Sequence, residues 1–423
     1  MMNNSGSLCG QVNKKKYVVI LLFLIVTALS VVGCNLPAGR NCFGGGPCSS
    51  STPTPSPTPG PSPRLLVSDN TTGAVNVVDA KTDLVTTTIA VNSPGKMVSA
   101  GGSTVIQSTL SNSVVIFDNA TATIRFTVPL AALPVDVAIT PDGKTGWVAE
   151  NNGTVESIDT ASGAITGTTA VAGVQRLVIG PQGNTVLAFN DTLAITFTVI
   201  TPTGFFPIGN AGLDHPTNAV FAGDDNHFIV LDCGPECGGI TAGSARVVLV
   251  PPGFGGPGVA APIPVSGATI GLLNGSNTLF VAGSPTVGLN AGTVQVLNPA
   301  STTANAAVSI ADGRHNLMAL TSNGRLFIGS TGCTAGPVNA QNQRQGCLTI
   351  FDTTTQTATP VLVPANRATL DVTGLAPVPG RNVIYVVQGG VLDILDITTN
   401  AVSTTATPPN ITGTAFSVVQ LSP

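Results

Sequence analysis

Short apolar runs of four to six residues alternate with polar turns along most of the chain, and the arrangement recurs eight times after Arg64. Each unit begins with an apolar run, passes through a polar turn into a second alternating run, and continues into a Thr-rich stretch. It ends with a further apolar run before a turn rich in Pro, Gly or Asn. Val, Ile and Thr dominate these runs, which is typical of β-strands. The pattern predicts about four short strands per unit and no sustained helix.

The repeat period predicts the fold class. The first strands of the eight units begin at Arg64, Ser103, Thr145, Thr185, His227, Thr278, Leu326 and Val383. Eight units over residues 64–423 give a period of about 45 residues, and four short strands per unit of that length are the mark of a β-propeller. We expect an all-β propeller of eight four-stranded blades, with seven blades as the alternative.

The last apolar run, Phe416–Leu421, is a closing strand with no further unit behind it. The first unit, at Arg64, has no closing strand in front of it. Together, this last strand and the incomplete first unit predict one blade in which Phe416–Leu421 is the inner strand. Such a closure leaves no unpaired sheet edge between the ends of the domain.

Two stretches resemble the YVTN family of β-propeller repeats. They are VDVAITPDGKTGWVAENNGTVESIDTASGAITGTTAVAG at 135–173 and LLVSDNTTGAVNVVDAKTDLVTTTIAV at 65–91. Taken over all eight units, the resemblance covers about 85% of the chain. The fourth and fifth units depart from it, because they lack the Asp turn of the family pattern. It implies a propeller that is secreted or exposed at a surface, and it implies no defined activity.

Residues 1–33 predict a lipoprotein signal peptide. Three lysines at 14–16 precede an apolar run at 17–32, and Gly33 and Cys34 follow. The quartet ending at Cys34 resembles a bacterial lipobox, which implies that Cys34 is lipidated and becomes the mature N-terminus. An uncleaved transmembrane anchor is one alternative, although the run is shorter than the ~20 residues of a membrane span. An ordinary signal peptide is the other. We expect a lipid-anchored protein of the bacterial cell envelope that faces outside the cytoplasm, at the outer membrane or cell surface.

Residues 34–63 predict a tether between this anchor and a propeller at 64–423. The segment 49–63 reads SSSTPTPSPTPGPSP. Its prolines favour an extended chain of ~3.1 Å per residue, so it can hold a domain up to about 45 Å away. A Pro-rich motif that docks to a partner is the alternative.

Six cysteines are left when Cys9 and Cys34 are set aside, and they fall into three local pairs: Cys42 with Cys48, Cys233 with Cys237, and Cys333 with Cys347. Local pairing is the simplest of the 15 possible connectivities. Disulfides agree with export, whereas the spacings are not those of a paired zinc site. Free or metal-bound thiols are the alternative.

The composition narrows the functional classes. Only 9% of the residues are charged, against ~25% in typical domains, and the net charge is −4. The absence of a basic run after the predicted signal peptide argues against nucleic-acid binding. The sequence has no phosphate loop, nucleophile elbow, zinc-protease or haem-attachment motif. We therefore assign no catalytic residue, metal ligand or cofactor, and we expect a monomer. The recurring aspartates are interpreted as Asx-turn residues: Asp79, Asp118, Asp159, Asp352 and Asp396.

Loop lengths single out one sector of one face. The links between first and second strands lengthen in the fifth, sixth and seventh units, at 232–244, 283–292 and 330–346. Additional residues precede two closing strands, at 205–216 and 251–264. Long loops on a rigid scaffold commonly carry function, and neutral insertions are the alternative.

Polar residues recur where the closing strands start, and they predict a possible ligand rim around the central channel: Lys96, Asp136, Arg176, Asn218 and His315. Convergent polar groups in a concavity are the usual first hypothesis for a binding site. A hydrated rim without a ligand is the alternative.

We expect a membrane-anchored binding or scaffolding module for an unknown protein or small-molecule ligand, rather than an enzyme. A hydrolase or lyase of the lactonase type is the second hypothesis, and it would use Asp214, His215, His315 or Arg314 near the channel mouth. A structural protein of the cell envelope is the third.

Overall fold

The computed structural model describes residues 62–422, except 191–195, 210–211, 241–242, 250–257, 276, 287–290, 301–302, 335–345, 362–370, 404–405 and 407. The signal peptide, Cys34, Cys42, Cys48 and the tether up to residue 61 lie outside the described residues. The described chain is almost entirely antiparallel β-structure, with one short 3₁₀ helix at Gly234–Cys237.

The strands follow the predicted repeat. The strands that lie in the first half of the chain are β1 (Arg64–Asp69), β2 (Ala74–Asp79), β3 (Leu84–Ala90), β4 (Pro94–Ala100), β5 (Ser103–Ser108), β6 (Ser113–Asp118), β7 (Thr123–Pro129), β8 (Pro134–Ile139), β9 (Thr145–Glu150), β10 (Thr154–Asp159), β11 (Ile165–Ala170), β12 (Arg176–Ile179), β13 (Val186–Phe189), β14 (Thr196–Thr201) and β15 (Gly204–Gly209). The second half contains β16 (Pro216–Phe221), β17 (His227–Asp232), β18 (Ser244–Leu249), β19 (Gly258–Val259), β20 (Ile263–Pro264), β21 (Ile270–Leu273), β22 (Leu279–Gly283), β23 (Gly292–Leu297), β24 (Val308–Ile310), β25 (Arg314–Leu320), β26 (Arg325–Thr331), β27 (Leu348–Asp352), β28 (Thr357–Val361), β29 (Val372–Pro377), β30 (Val383–Gln388), β31 (Val391–Asp396), β32 (Ala401–Val402) and β33 (Ala415–Gln420).

These strands form eight separate antiparallel sheets, one for each predicted unit. Each sheet runs from a closing strand through the first and second strands to an outer strand, as in β8-β9-β10-β11. The closing strands contact one another in the succession β33, β4, β8, β12, β16, β21, β25, β29 and again β33. They are therefore the innermost strands of a complete ring. The prediction of an eight-bladed β-propeller is confirmed, and the seven-bladed alternative is wrong.

The first blade joins the two ends of the domain. Its order is β33-β1-β2-β3, and Leu66, Val67 and Ser68 of β1 lie opposite Val419, Val418 and Ser417 of β33. The ladder extends one step further, because the Leu421 N–H donates to the Arg64 carbonyl oxygen at 2.8 Å. The predicted closure by the C-terminal strand is confirmed, with strand bounds displaced by one residue.

A polar contact that the sequence did not predict strengthens the same seam. Asp83, in the turn before β3, accepts two hydrogen bonds from the Arg381 guanidinium, at 2.6 and 3.0 Å. Tyr385 of β30 is fully buried, and its hydroxyl donates to the same carboxylate. The last blade thus contacts the first through a bidentate ion pair, in addition to the chain that passes from the last blade into β33 of the first.

The hydrophobic core lies between neighbouring blades rather than at one centre. Between the last blade and the first, Tyr385 and Ile394 pack in the same cluster as Leu65, Val67 and Val418. Every blade interface is built in this way, because alternate side chains of a strand point to opposite faces of its sheet. Each blade therefore depends on both neighbours for burial of its two faces.

The fifth blade departs from the simple four-stranded order. Its outer edge consists of two strands of two residues each, β19 and β20, and both pair with β18. The sequence here is rich in proline and glycine, and Pro264 lies within β20. Proline cannot donate to a ladder and glycine weakens a strand, so a continuous outer strand does not form.

The recurring aspartates close turns between second and outer strands. The Asp118 carboxylate accepts the N–H groups of Ala120 and Thr121 at 2.9 Å each. Hydrogen bonds from Arg125 and from the backbone of Thr121 lower the pKa of Asp118 to about 2. The same two N–H contacts, at residues i+2 and i+3, are made by Asp79, Asp159, Asp352 and Asp396. The interpretation as Asx turns is confirmed.

Removal of residues 415–423 is expected to open the ring. The deletion exposes the edge of β1 and removes buried Ala415, Val418 and Leu421, and each of the two larger side chains contributes roughly 1.5–3 kcal/mol when buried. With the lost ladder, this loss is comparable with the ~5–15 kcal/mol that stabilises a whole domain. Limited proteolysis and size-exclusion chromatography should show a cleaved or aggregated product, whereas deletion of Pro423 alone should leave both profiles unchanged. A protease-resistant monomer without residues 415–423 would contradict the closure.

Candidate functional site

The long links of blades five to seven lie on one face of the propeller. In an antiparallel meander, the links from first to second strand and from outer to next closing strand emerge on the same side of the sheets. The structure shows such links in contact, since Cys233 N–H donates to the His215 carbonyl and Gly234 N–H to the Asp214 carbonyl, both at 3.0 Å. We call this side the loop-bearing face.

Disulfides fasten two of the long links. Cys233 is bonded to Cys237 and encloses the 3₁₀ helix in the fifth blade, and Cys333 is bonded to Cys347 at the base of the seventh-blade link. Both predicted pairs are present in the structure. The pair Cys42 and Cys48 lies outside the described residues and stays a prediction.

Glu236 connects three blades. It lies in the 3₁₀ helix of the fifth blade, and its side chain is fully buried. One carboxylate oxygen accepts the backbone N–H of His315, in the seventh blade, at 2.8 Å. The other accepts the N–H of Ser284, in the link of the sixth blade. A single carboxylate thus fixes the disulfide loop against two other blades.

His315 completes this buried arrangement. Its side chain is 1% exposed, and its Nε2–H donates to the Ala311 carbonyl oxygen at 3.0 Å. Its Nδ1 lies 3.6 Å from Glu236 Oε2, which is beyond hydrogen-bonding distance. The imidazole is therefore a packed component of the blade interface, away from solvent.

A second acidic cluster holds the fifth-blade loop from the other side. Asp214 accepts a hydrogen bond from His215 Nδ1 at 2.9 Å on one oxygen, and the N–H of Ile240 at 2.7 Å on the other. The backbone N–H of Asp214 in turn donates to Asp232, whose second oxygen accepts the Ser244 hydroxyl. Burial raises the pKa of Asp232, and hydrogen bonds from Asp214 and Ser244 oppose that effect. The cluster orders the loop around Ile240.

The predicted rim residues divide into two groups. Lys96 pairs with Asp136 at 2.5 Å, and the second oxygen of Asp136 accepts the N–H of Leu177 at 2.7 Å. These two contacts link the closing strands β4, β8 and β12 to one another. Asp136 is buried, so its carboxylate serves contacts between blades.

The remaining rim positions are less connected. Arg176 opens β12 and is half-buried, with Nη1 enclosed and without a hydrogen-bond partner. Asn218, also half-buried, accepts the N–H of Ala219 within β16. His315 lies in the Glu236 cluster described above. The structure thus brings Lys96, Asp136 and the start of β12 together, and their role as a ligand rim stays a prediction.

Glu236 is the residue that sequence reasoning missed. A signal was present, because an acidic residue between two closely spaced cysteines is unusual in a chain with only 9% charged residues. Its partners, Ser284 and His315, lie 48 and 79 residues away, and no local pattern indicates contacts of that range.

Among the residues that the structure describes, no group of three or more His, Cys, Asp or Glu side chains is arranged to hold a metal ion. No helix within the described part of the chain is long and apolar enough to cross a membrane.

Known structures share the architecture. The dihydro-heme d1 dehydrogenase NirN, in complex with DHE, superposes with a TM-score of 0.62 at 12% identity, over 84% of this chain and 74% of that one. Apo AztD from Citrobacter koseri gives 0.60 at 14% identity, over 85% and 98% of the two chains. The computationally designed protein Ika8 gives 0.55 at 13% identity, over 78% and 92%. At such identities the similarity shows the fold alone, and it places the chain in the β-propeller class.

No protein-family model matches the chain, and no curated protein matches it.

Replacement of Glu236 by Ala is expected to destabilise the propeller by about 3 kcal/mol, because the two buried backbone N–H groups of Ser284 and His315 lose their acceptor. Glu236→Gln, which keeps acceptor capacity, should recover part of that loss. Asp224→Ala is the matched control, since Asp224 also accepts two backbone N–H groups, those of Asn226 and His227, but does so at the surface, where water can replace it. Its exposed pair with His227, at 2.7 Å, contributes ~0–1 kcal/mol. Urea unfolding measures all three, and equal losses for the Glu236→Ala and Asp224→Ala variants would contradict the assigned role.

Proposed function

We propose that this chain is an exported β-propeller that binds a partner protein through its loop-bearing face. A lipid on Cys34 anchors it in the cell envelope outside the cytoplasm, and the Pro-rich segment 49–63 holds the propeller away from the membrane. The apolar run at 17–32, the lipobox-like quartet and the resemblance to YVTN repeats support export and anchoring.

The observation that carries the binding proposal is the fixation of the longest links. The carboxylate of Glu236 holds one link against the sixth and seventh blades, and the disulfide between Cys233 and Cys237 closes that link on itself. A second disulfide fastens the link of the seventh blade. A surface that is ordered before binding loses less conformational entropy when a partner docks. Long loops fixed in this way are suited to recognition.

Ile240 supports a protein partner in particular. Its side chain is 95% exposed at the tip of the fifth-blade link, while its backbone N–H is held by Asp214 at 2.7 Å. A fixed, exposed apolar side chain beside polar loops resembles the anchor residues that dominate binding energy at protein interfaces.

The contacts of the candidate catalytic residues favour binding over a lactonase-type reaction. Both oxygens of Asp214 accept hydrogen bonds within the fold, and one of the donors is His215. His315 is buried in the blade interface, with its Nε2–H given to a backbone carbonyl. These groups are engaged in holding loops together. A purely structural envelope protein would lack a discrete partner, so photo-cross-linking at position 240 distinguishes it from a binding module.

Substitution of Cys34→Ser is expected to release the protein from the membrane fraction or to leave the signal peptide uncleaved, because the lipidated thiol would be lost. Detergent partitioning and intact-mass measurement of the exported protein test this. Cys42→Ser is the control, because it makes the same substitution eight residues further on. It should keep the lipid and the partitioning of the wild-type protein, and its mass should change only by the substitution itself. An unchanged mass and partitioning of the Cys34→Ser protein would refute the anchor.

A photoreactive amino acid at position 240 of the full chain, in the producing cells, should form a discrete cross-linked adduct after irradiation. The same amino acid at Leu84 is the control, because Leu84 is 63% exposed but follows a turn of the opposite face. Adducts at 240 and none at 84 support the proposed surface. No adduct at 240, or identical adducts at both positions, would count against it.

A further inference from the structure

Two glutamates of the third blade lie side by side on the face that packs against the second blade. Glu150, at the end of β9, is opposite Thr154, and Glu156 of β10 is opposite Val148. The two are therefore diagonal neighbours on one face of the sheet, within reach for long side chains. That face points to blade two, because Val148 packs in a cluster with Val105 and Val114 of that blade.

Both glutamates are buried, and each has an oxygen without a partner. Glu150 is 0% exposed and Glu156 is 7% exposed. Glu150 Oε2 accepts the N–H of Ala132 at 2.5 Å, but Glu150 Oε1 and Glu156 Oε2 are enclosed and have no hydrogen-bond partner among the described residues. Burial, followed by the charge of Glu150, raises the pKa of Glu156.

Other buried acids of this propeller are compensated. Asp83 has Arg381, Asp136 has Lys96, and Glu236 has two backbone N–H groups. Two adjacent carboxylates in a blade interface with unpaired oxygens are unfavourable unless something positive lies between them. Either a cation or a single shared proton satisfies this requirement.

We infer that Glu150 and Glu156 form a binding site for a hard divalent cation of the Ca²⁺ type between blades two and three. Carboxylate oxygens are the preferred ligands of Ca²⁺, which tolerates irregular coordination completed by water and hydroxyl or carbonyl oxygens. The Thr154 hydroxyl, opposite Glu150 in the register, is suitably placed to contribute. The cation neutralises the pair and fixes the link after β9 to the neighbouring blade. This site is independent of the proposed partner-binding face.

Equilibrium dialysis against radioactive Ca²⁺ tests the site in the intact exported protein after treatment with a chelator. The wild-type protein should retain bound Ca²⁺, and Glu150→Gln should lose it. Absence of bound Ca²⁺ in the wild-type protein, or equal binding by the Glu150→Gln protein, would overturn the inference.

Thermal unfolding of variants provides the second measurement. Ca²⁺ at about a hundred times its Kd should raise the wild-type melting temperature by a few degrees, with NaCl of equal ionic strength as reference. Glu150→Gln and Glu156→Gln should abolish this shift, and Asp224→Asn, an exposed acid in another blade, should retain it. A Ca²⁺ shift that persists in both glutamine variants would locate the ion elsewhere. Two results together would refute the cation site and indicate a shared proton instead: a wild-type melting temperature that does not change with Ca²⁺, and a higher melting temperature for Glu156→Gln than for the wild type at neutral pH.

Discussion

The pairing of the C-terminal strand with the first strand is the constraint on which the rest of this structure depends. Blades bury their faces only against neighbours, so an open ring would expose two apolar sheet faces and one edge. Strand β33 removes that exposure by entering the first blade, where Val418 and Leu421 are buried. Asp83, Arg381 and Tyr385 add a charged contact at the same seam. The interfaces from the second blade through to the eighth are formed by neighbours in sequence, whereas both interfaces of the first blade include contacts between residues about 300 positions apart.

Charged residues are rare in this chain, and the buried ones are used as ties between blades. Asp225 of the fifth blade accepts three backbone N–H groups from the turn between β12 and β13. Asp136 reaches the start of β12, and Glu236 joins three blades. Carboxylates suit this role because one side chain offers several acceptor positions to N–H groups that would otherwise be buried without a partner. Glu150 and Glu156 stand apart from this rule, which is why they indicate a bound cation.

Local signals predicted the strands well. All eight first strands begin within one residue of the predicted position, because apolar alternation and Asp, Asn or Gly turns are properties of short segments. The outer edge of the fifth blade could not be read in the same way. There the prolines and glycines interrupt the period, and the structure replaces one strand by the two short strands β19 and β20.

The candidate site was predicted only in part, for a related physical reason. The sequence located the long links and the cysteine pairs, since insertions and spacings are visible along the chain. It named His315 as a possible rim residue but could not show that the imidazole is buried beside Glu236, because the burial of a side chain depends on blades remote in sequence.

The asymmetry between the two faces follows from the way each is held. On the opposite face, Asx turns such as that of Asp118 satisfy their own N–H groups with a neighbouring carboxylate and need no other blade. The longer links of the loop-bearing face are held by Glu236, Asp214 and the disulfides instead. A link that is secured by other blades can vary at its tip without loss of the ring. Recognition residues such as Ile240 can therefore change on this face while the closing strands beneath it keep their geometry.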